Sequence, residues 1–304
     1  MTTRRLAPAV STGAFLTTLL WTAAASAQSG GPPFLSGLAA ERGVTLPRPW
    51  GLGLVYSNVD QDLELDNFVM SANGAQGRSV DFVSIDDSKL KADSLLLKGD
   101  VWLFPFLNLF AFVGTSNNDV TGRFSVQGDD LLSFAGSDAC TDPNDRPQVC
   151  DQTFTGDIDR SADATQYGAG ATFAAGRGRA FALLGLLYAS SESSDSDTKI
   201  DAFSVTPRLG YRFPLEGGGE LALYGGASFI DSQVDIRNQV VFPGGPQTEE
   251  IVIDYSLTQK NEDDWSYLAG LNWDITRSFT LQGEYSLGAR EGLLATLVWR
   301  FGGT

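Results

Sequence analysis

Residues 290–301, close to the C-terminus, constrain the fold more than any other stretch of the sequence. One set of alternate positions is apolar and ends in two aromatic residues: Leu293, Ala295, Leu297, Trp299 and Phe301. The positions between them run from Leu294 through Thr296 and Val298 to a charged residue, Arg300. Because successive side chains of a β-strand point to opposite faces, this period of two predicts a strand between an apolar medium and a wetter interior.

The first 27 residues have the pattern of a secretory signal peptide. Two arginines open the segment, a short apolar run follows at residues 14–21, and the Ala-Ser-Ala sequence at 25–27 matches a cleavage site. We therefore expect residues 1–27 to direct export, with cleavage near Ala27. An uncleaved membrane anchor is the weaker alternative, because the apolar run is too short to cross a bilayer as a helix.

The rest of the sequence contains no apolar run long enough for a membrane-spanning helix. The longest run covers residues 180–189, which is half a spanning helix but the full length of a spanning β-strand. The chain also has 34 Gly, 19 Phe, 8 Tyr and 6 Trp. Barrels use glycine for curvature and turns, and aromatic side chains at the membrane interfaces, so this composition favours a barrel.

Ten segments with a period of two follow residue 49, and the connections between them alternate between long and short. The segments are residues 50–56, 95–103, 107–114, 165–174, 180–189, 200–213, 220–230, 265–273, 279–287 and 293–301. Apolar runs at 240–242 and 251–253 indicate strand extensions beyond the membrane. Long extracellular loops, short periplasmic turns and an even strand number are the rule in barrels of the outer membrane.

We therefore predict an all-β fold, an antiparallel up-and-down transmembrane β-barrel of about ten strands covering residues 49–304. Long extracellular loops and short periplasmic turns are expected to join the strands, and residues 28–48 are expected to form an N-terminal periplasmic leader. Strand numbers of eight or twelve remain open if one polar segment is wrongly assigned.

Taken together, these features resemble the small outer-membrane β-barrels of Gram-negative bacteria, a porin-like class. The resemblance rests on the export segment, the alternating strands, their aromatic ends and the closing strand 293–301. It implies a monomer in the outer membrane, in contact with lipid and lipopolysaccharide. It also implies that the insertion machinery of that membrane reads the terminal aromatic strand. Residues 302–304 depart from the pattern, because many members end at the aromatic residue itself.

Charge and composition argue against two broad kinds of function. The formal net charge is −16 at pH 7, which disfavours nucleic-acid binding, since that function needs a basic surface. The chain contains no histidine, so it has neither a Ser–His pair nor a histidine metal site. We expect neither an enzyme nor a bound cofactor or metal.

Seven charged residues on inward positions of the predicted strands are candidate selectivity residues. They are Lys98, Asp100, Arg208, Arg212, Asp274, Glu284 and Arg300. A ten-stranded barrel is only slightly wider than the eight-stranded kind that side chains fill, so two interpretations are open. One is a narrow pore that passes small polar solutes passively. The other is a barrel closed by paired charges, whose acidic extracellular loops bind a surface partner or divalent cations.

One acidic segment has a regular spacing. Asp60, Asp62, Glu64 and Asp66 alternate along the chain, which would put four carboxylates on one face of a strand. Carboxylates are ligands for calcium, but no complete calcium-loop motif is present. The pattern favours a solvated acidic surface that holds divalent cations loosely near lipopolysaccharide.

The two cysteines, Cys140 and Cys150, lie in one polar segment rich in Asp and Pro. In an oxidising periplasm we expect them to pair in a disulfide that staples a loop. Two free or intermolecular thiols are the alternative.

Nine aromatic residues at strand ends predict two membrane-interface belts rather than a ligand-stacking site. The periplasmic belt contains Trp50, Phe213, Trp273, Trp299 and Phe301, and the outer belt contains Tyr56, Tyr188, Trp265 and Tyr267.

Overall fold

A computed structural model describes residues 32–37, 46–72, 76–134, 136, 138–142, 146–194, 199–216, 219–242 and 251–303. Its strands are β1 (Trp50–Ala72), β2 (Arg78–Ser79), β3 (Val83–Phe104), β4 (Leu107–Gln127), β5 (Thr153–Arg177), β6 (Ala180–Ser193), β7 (Lys199–Pro214), β8 (Glu220–Phe242), β9 (Ile251–Asn261), β10 (Trp265–Asp274), β11 (Phe279–Gly288) and β12 (Arg290–Phe301). Helix α1 (Gly128–Phe134) and a 3₁₀ helix (Gln148–Asp151) follow β4. The expected signal peptide lies outside the described residues, as does much of the leader. No helix in the described ranges is long and apolar enough to cross a membrane.

Ten of the described strands close an antiparallel barrel. Their order around the wall is β1, β3, β4, β5, β6, β7, β8, β10, β11 and β12. The barrel closes where β12 pairs with β1, from Trp50↔Phe301 to Gln61↔Arg290. Because each of the ten segments predicted from the period of two forms one of these strands, the ten-stranded up-and-down barrel is confirmed.

The alternation along β12 has the predicted orientation. Leu293, Leu297 and Trp299 are exposed on the outer face, while Thr296 and Val298 are buried inside the barrel. Short turns join β3 to β4, β5 to β6, β7 to β8 and β10 to β11 at one end of the barrel, which is therefore the periplasmic end.

The long polar segments are mostly strand rather than loop, which corrects the expectation for two of them. β1 and β3 pair out to Asp62↔Lys89, and β4 and β5 stay paired out to Gln127↔Thr153. Above the membrane a strand needs no apolar outer face, because water solvates it there. The residue pattern therefore loses its apolar period although the hydrogen-bonded ladder continues.

β9 reduces the number of strands around the barrel above the membrane. It pairs with β8 from Gln233↔Lys260 to Phe242↔Ile251, and with β1 from Leu63↔Asn261 to Ala72↔Ile253. At this level one strand takes the place of β10, β11 and β12 between β8 and β1. These pairings confirm the strand extensions expected at 240–242 and 251–253.

A stapled cap, residues 128–152, covers the tip of the β4–β5 hairpin. Cys140 and Cys150 form the predicted disulfide. Arg146 lies at the centre of the cap and donates hydrogen bonds to Asp129 Oδ2 at 2.9 Å and to Asp151 Oδ1 at 3.0 Å. It also donates to the carbonyl oxygen of Cys140. One guanidinium therefore joins α1, the disulfide loop and the 3₁₀ helix.

Replacing both cysteines of the cap with serine is expected to loosen it without unfolding the barrel. The chain-entropy model gives about 2–3 kcal/mol for closing a loop of this length. We therefore expect limited proteolysis of the folded protein to cleave within residues 128–152 many times faster in the Cys140→Ser, Cys150→Ser variant. The barrel itself should keep its heat-modifiable gel mobility. Equal cleavage rates in the two proteins would show that Arg146 and its carboxylates hold the cap alone.

Candidate functional site

The interior of the barrel brings four of the seven predicted lumen charges together in two ion pairs. All seven candidates lie on inward positions: Lys98 and Asp100 on β3, Arg208 and Arg212 on β7, Asp274 on β10, Glu284 on β11 and Arg300 on β12. Further inward charges were not predicted, among them Glu220 at the start of β8 and Arg290 at the start of β12. Both lie next to turns, where too few alternating residues are present to show which face of the strand is inward.

One ion pair crosses the lumen between strands that are not neighbours. Arg208 Nε lies 2.9 Å from Glu284 Oε2, and Arg208 Nη2 lies 3.0 Å from Oε1. Since β8 and β10 separate β7 from β11, the pair bridges the interior rather than one strand interface. The side chains are only 18% and 8% exposed, so water is largely excluded from this pair.

A second network lies between β12 and β3. Arg300 Nη1 donates to Asp100 Oδ1 at 3.0 Å, and Asn108 Nδ2 donates to the same oxygen at 2.8 Å. Asp100 is 1% exposed as a side chain. The bridge passes over Gly51 of β1, where a Cβ atom would collide with the Asp100 carboxylate. A glycine at this position is therefore required by the close approach of the ion pair.

The remaining lumen charges form weaker contacts. Arg212 Nε lies 4.0 Å from Glu220 Oε1, and Asp274 Oδ1 accepts a hydrogen bond from Thr280 Oγ1 at 2.6 Å. Lys98 Nζ lies 4.8 Å from the centroid of the Phe110 ring. The seven candidates thus form two close ion pairs and three separate weaker contacts rather than one site.

Side chains fill the lumen unevenly. Several inward side chains of β1, β8, β10, β11 and β12 are buried, among them Val55, Tyr224, Leu268, Thr280, Thr296 and Val298. Others on the same strands, such as Gln61, Asn272 and Gln282, are partly exposed. Most inward side chains of β4, β5 and β6 are partly exposed, among them Phe110, Phe112, Gln166, Leu183 and Leu187, whereas Asn108, Ser116 and Ala164 are buried. The least buried part of the interior therefore lies along β4–β6, next to Arg208 on the neighbouring strand β7.

The acidic segment of β1, Asp60 to Asp66, lies above the membrane. Its four alternating carboxylates face outward, as expected for this spacing on a strand. Lysines of the two neighbouring strands pair with it: Lys91 with Asp60 at 3.6 Å, Lys89 with Asp62 at 3.4 Å, and Lys260 with Glu64 at 3.2 Å and Asp66 at 2.6 Å. The hydrogen bonds that Lys260 donates to Asp66 and Glu64 raise the pKa of its ammonium group. In the described part of the chain, no group of three or more Asp, Glu, Cys or His is arranged to hold a metal ion.

The nine belt aromatics all lie on the outer face. Each is at least 36% exposed, and Tyr267 reaches 71%. Trp299 and Phe301 also contact each other, with 4.8 Å between their ring centroids. Their function as interface anchors stays a prediction, which the orientation of the side chains permits.

Comparison with known proteins agrees with this architecture. Residues 146–292 match the model of the outer membrane protein beta-barrel domain family. None of the curated proteins compared gives a match. The family match covers slightly less than half of the chain, and the closed antiparallel barrel with its apolar outer face is consistent with it.

Similarity to solved structures is distant. The beta domain of the Bordetella autotransporter Brka has 12% identity, with 84% of this chain and 100% of that chain covered, at a TM-score of 0.38. OprG from Pseudomonas aeruginosa has 10% identity, with 84% and 98% covered, at a TM-score of 0.36. The toluene transporter TbuX of Ralstonia pickettii has 10% identity, with 85% and 90% covered, at a TM-score of 0.34. At these values no property of those proteins is carried over to this chain.

Proposed function

We propose that the protein passes small polar solutes passively across the outer membrane, through a lumen that its ion pairs narrow. The observation that carries this proposal is the uneven filling of the barrel. Most inward side chains of β4–β6 are partly exposed, while buried inward side chains are more frequent on β1, β8 and β10–β12. A solute would move along β4–β6 and pass beside the charged groups that reach across from β7 and β3.

The charges on β3 and β7 beside this path favour anions, and Asp274, which has no ion pair among the described residues, lies away from it on β10. Asp100 and Glu284 are neutralised by Arg300 and Arg208 at 3.0 Å and 2.9 Å. Lys98 forms no ion pair within 4.0 Å among the described residues, and the contact of Arg212 with Glu220 lies at that limit. Cations that are not fully compensated attract small anions into a narrow, poorly hydrated passage.

Single-channel conductance in a planar bilayer with a salt gradient tests this function. We expect a small, anion-preferring conductance from the refolded protein. Neutralising Lys98 and Arg212 together (Lys98→Gln, Arg212→Gln) should shift the reversal potential toward cations. Arg208 belongs to the same proposed selectivity set, but removing it would also leave Glu284 buried without a partner. Arg123→Gln, on the outer face, is the matched control, and equal selectivity in all three proteins would contradict the proposal.

A closed barrel with an extracellular binding surface is the second candidate function. It is favoured by the burial of Asp100 and Glu284, whose side chains are 1% and 8% exposed, and by the strands that continue above the membrane to the stapled cap. If the protein has this second function, the folded barrel does not conduct ions. Deleting residues 138–151 would then abolish binding of a surface partner while the barrel stays folded.

A further inference from the structure

Arg290 differs from the other arginines inside the barrel. Arg208, Arg212 and Arg300 each have a carboxylate within 4.0 Å. Arg290 is only 8% exposed, yet none of the ion pairs among the described residues includes it. Asp264 is near enough to act on it electrostatically but does not reach ion-pair distance. A buried cation without a counter-charge lowers the stability of the folded protein.

The neighbours of Arg290 leave one of its donors unused. Its Nε donates to Gln61 Oε1 at 2.9 Å, while its Nη1 is buried without a hydrogen-bond partner. Gln61 Nε2 in turn donates to Asn261 Oδ1 at 3.2 Å. The Oγ of Ser266, a residue that is 2% exposed, is also buried without a partner. Buried donors without partners are rare in native proteins and commonly mark a bound water or ion.

The fold places Arg290, Gln61 and Ser266 at the level where β9 replaces β10, β11 and β12 in the barrel wall. Gln61↔Arg290 is the outermost pair between β1 and β12, and Ser266↔Gly288 is the outermost pair between β10 and β11. Above them β9 takes over the pairing with β8 and β1, through Asn261 and Lys260. Gly288, which pairs with Ser266 and lies two residues before Arg290 at the β11–β12 turn, has no side chain, and a Cβ atom there would meet no other atom within 4 Å.

The geometry points to a binding site for a small inorganic anion, of the size of chloride, between Arg290 and Ser266 at the extracellular end of the membrane-spanning barrel. The anion supplies the missing counter-charge and accepts hydrogen bonds from the guanidinium Nη1 and from the serine hydroxyl. A cation is excluded because the unused groups include a guanidinium. Binding at equilibrium does not require the lumen to conduct, so the site is independent of the proposed transport function.

The test is the thermal unfolding of the refolded full-length mature protein in detergent, measured in sodium chloride and in sodium gluconate at equal ionic strength. Gluconate is a much larger and more strongly hydrated anion than chloride. We expect chloride to raise the unfolding midpoint saturably, by about 2–4 °C relative to gluconate. Arg290→Gln should remove this difference, while Arg123→Gln on the outer face should keep it.

Equal midpoints in the two salts for the unsubstituted protein, or a chloride effect that persists in Arg290→Gln, would overturn the inference. If Arg290→Gln does not fold, anomalous diffraction from crystals of the unsubstituted protein grown in sodium bromide decides instead. A bromide peak within hydrogen-bond distance of Arg290 Nη1 supports the site. Ordered bromide elsewhere in the crystal with none at Arg290 refutes it.

Discussion

Replacing Glu284 with glutamine is expected to lower the free energy of unfolding by about 3–5 kcal/mol, because Arg208 then stays buried without a counter-charge. The pair is bidentate and both side chains are less than one-fifth exposed, so little water is present to compensate the guanidinium. Urea unfolding of the refolded protein in lipid or detergent measures the loss. The same variant should conduct more than the parent protein, since the pair no longer holds the lumen narrow.

Two companion variants separate the ion pair from the side chains themselves. Asp62→Asn removes an outward pair at 3.4 Å whose side chains are about half exposed, and it should change stability by less than about 1 kcal/mol. The double variant Arg208→Met, Glu284→Leu removes both charges together and should recover most of the stability, because no unpaired charge is left inside. A Glu284→Gln variant as stable as Asp62→Asn would show that the lumen around Arg208 is hydrated.

The strands of the membrane-spanning barrel were predictable because lipid imposes a strict rule on them. On β12 every second residue from Leu293 to Phe301 must be apolar to face lipid, so the period of two is visible in the sequence. Above the membrane that rule ends. The extensions of β1 and β3 carry Asp60 and Asp62 opposite Lys91 and Lys89, and charged residues of both signs in a row resemble a polar loop.

The inward direction of the lumen charges followed from the same alternation, but their partners did not. Arg208 and Glu284 are 76 residues apart on strands that do not touch, and only the tilt of the strands around the closed wall brings them to one level. The role of β9 was also hidden, because a segment that pairs with two different strands has no signature in its own sequence. Arg290 escaped for a local reason, since it follows the turn between β11 and β12 directly.

The two buried ion pairs also restrict the register of the strands that carry them. A charge inside a barrel fits only the register that gives it a partner, and a shift of β11 by one residue would turn Glu284 toward lipid. Arg208 would then be left alone inside. We therefore expect the ion pairs to penalise alternative registers more than they stabilise the native one.

Substituting alanine for Gly270 is expected to destabilise the barrel by about 1–3 kcal/mol, the usual cost of overpacking a filled interior. The ring of Tyr224 lies flat against Gly270, and a Cβ atom there would sit 2.5 Å from the ring carbon Cζ and 2.7 Å from the hydroxyl oxygen. Tyr224 would have to move away and lose the hydrogen bond that its hydroxyl accepts from Gln282 Nε2 at 3.0 Å. Because Gln282 and Glu284 are successive inward residues of β11, the displaced ring would also disturb the ion pair with Arg208.

Gly283→Ala is the matched control for this prediction, since Gly283 lies on β11 and faces outward. The first atom that a Cβ would meet there is a side-chain carbon of Leu271 at 3.9 Å, which is an ordinary contact. We expect this variant to remain within about 0.5 kcal/mol of the parent protein, as surface substitutions usually do. Urea unfolding of both variants measures the difference. If Gly270→Ala and Gly283→Ala are equally stable, Tyr224 is mobile in the lumen, and the wall formed by β8 and β10 is not as tightly filled as its burial indicates.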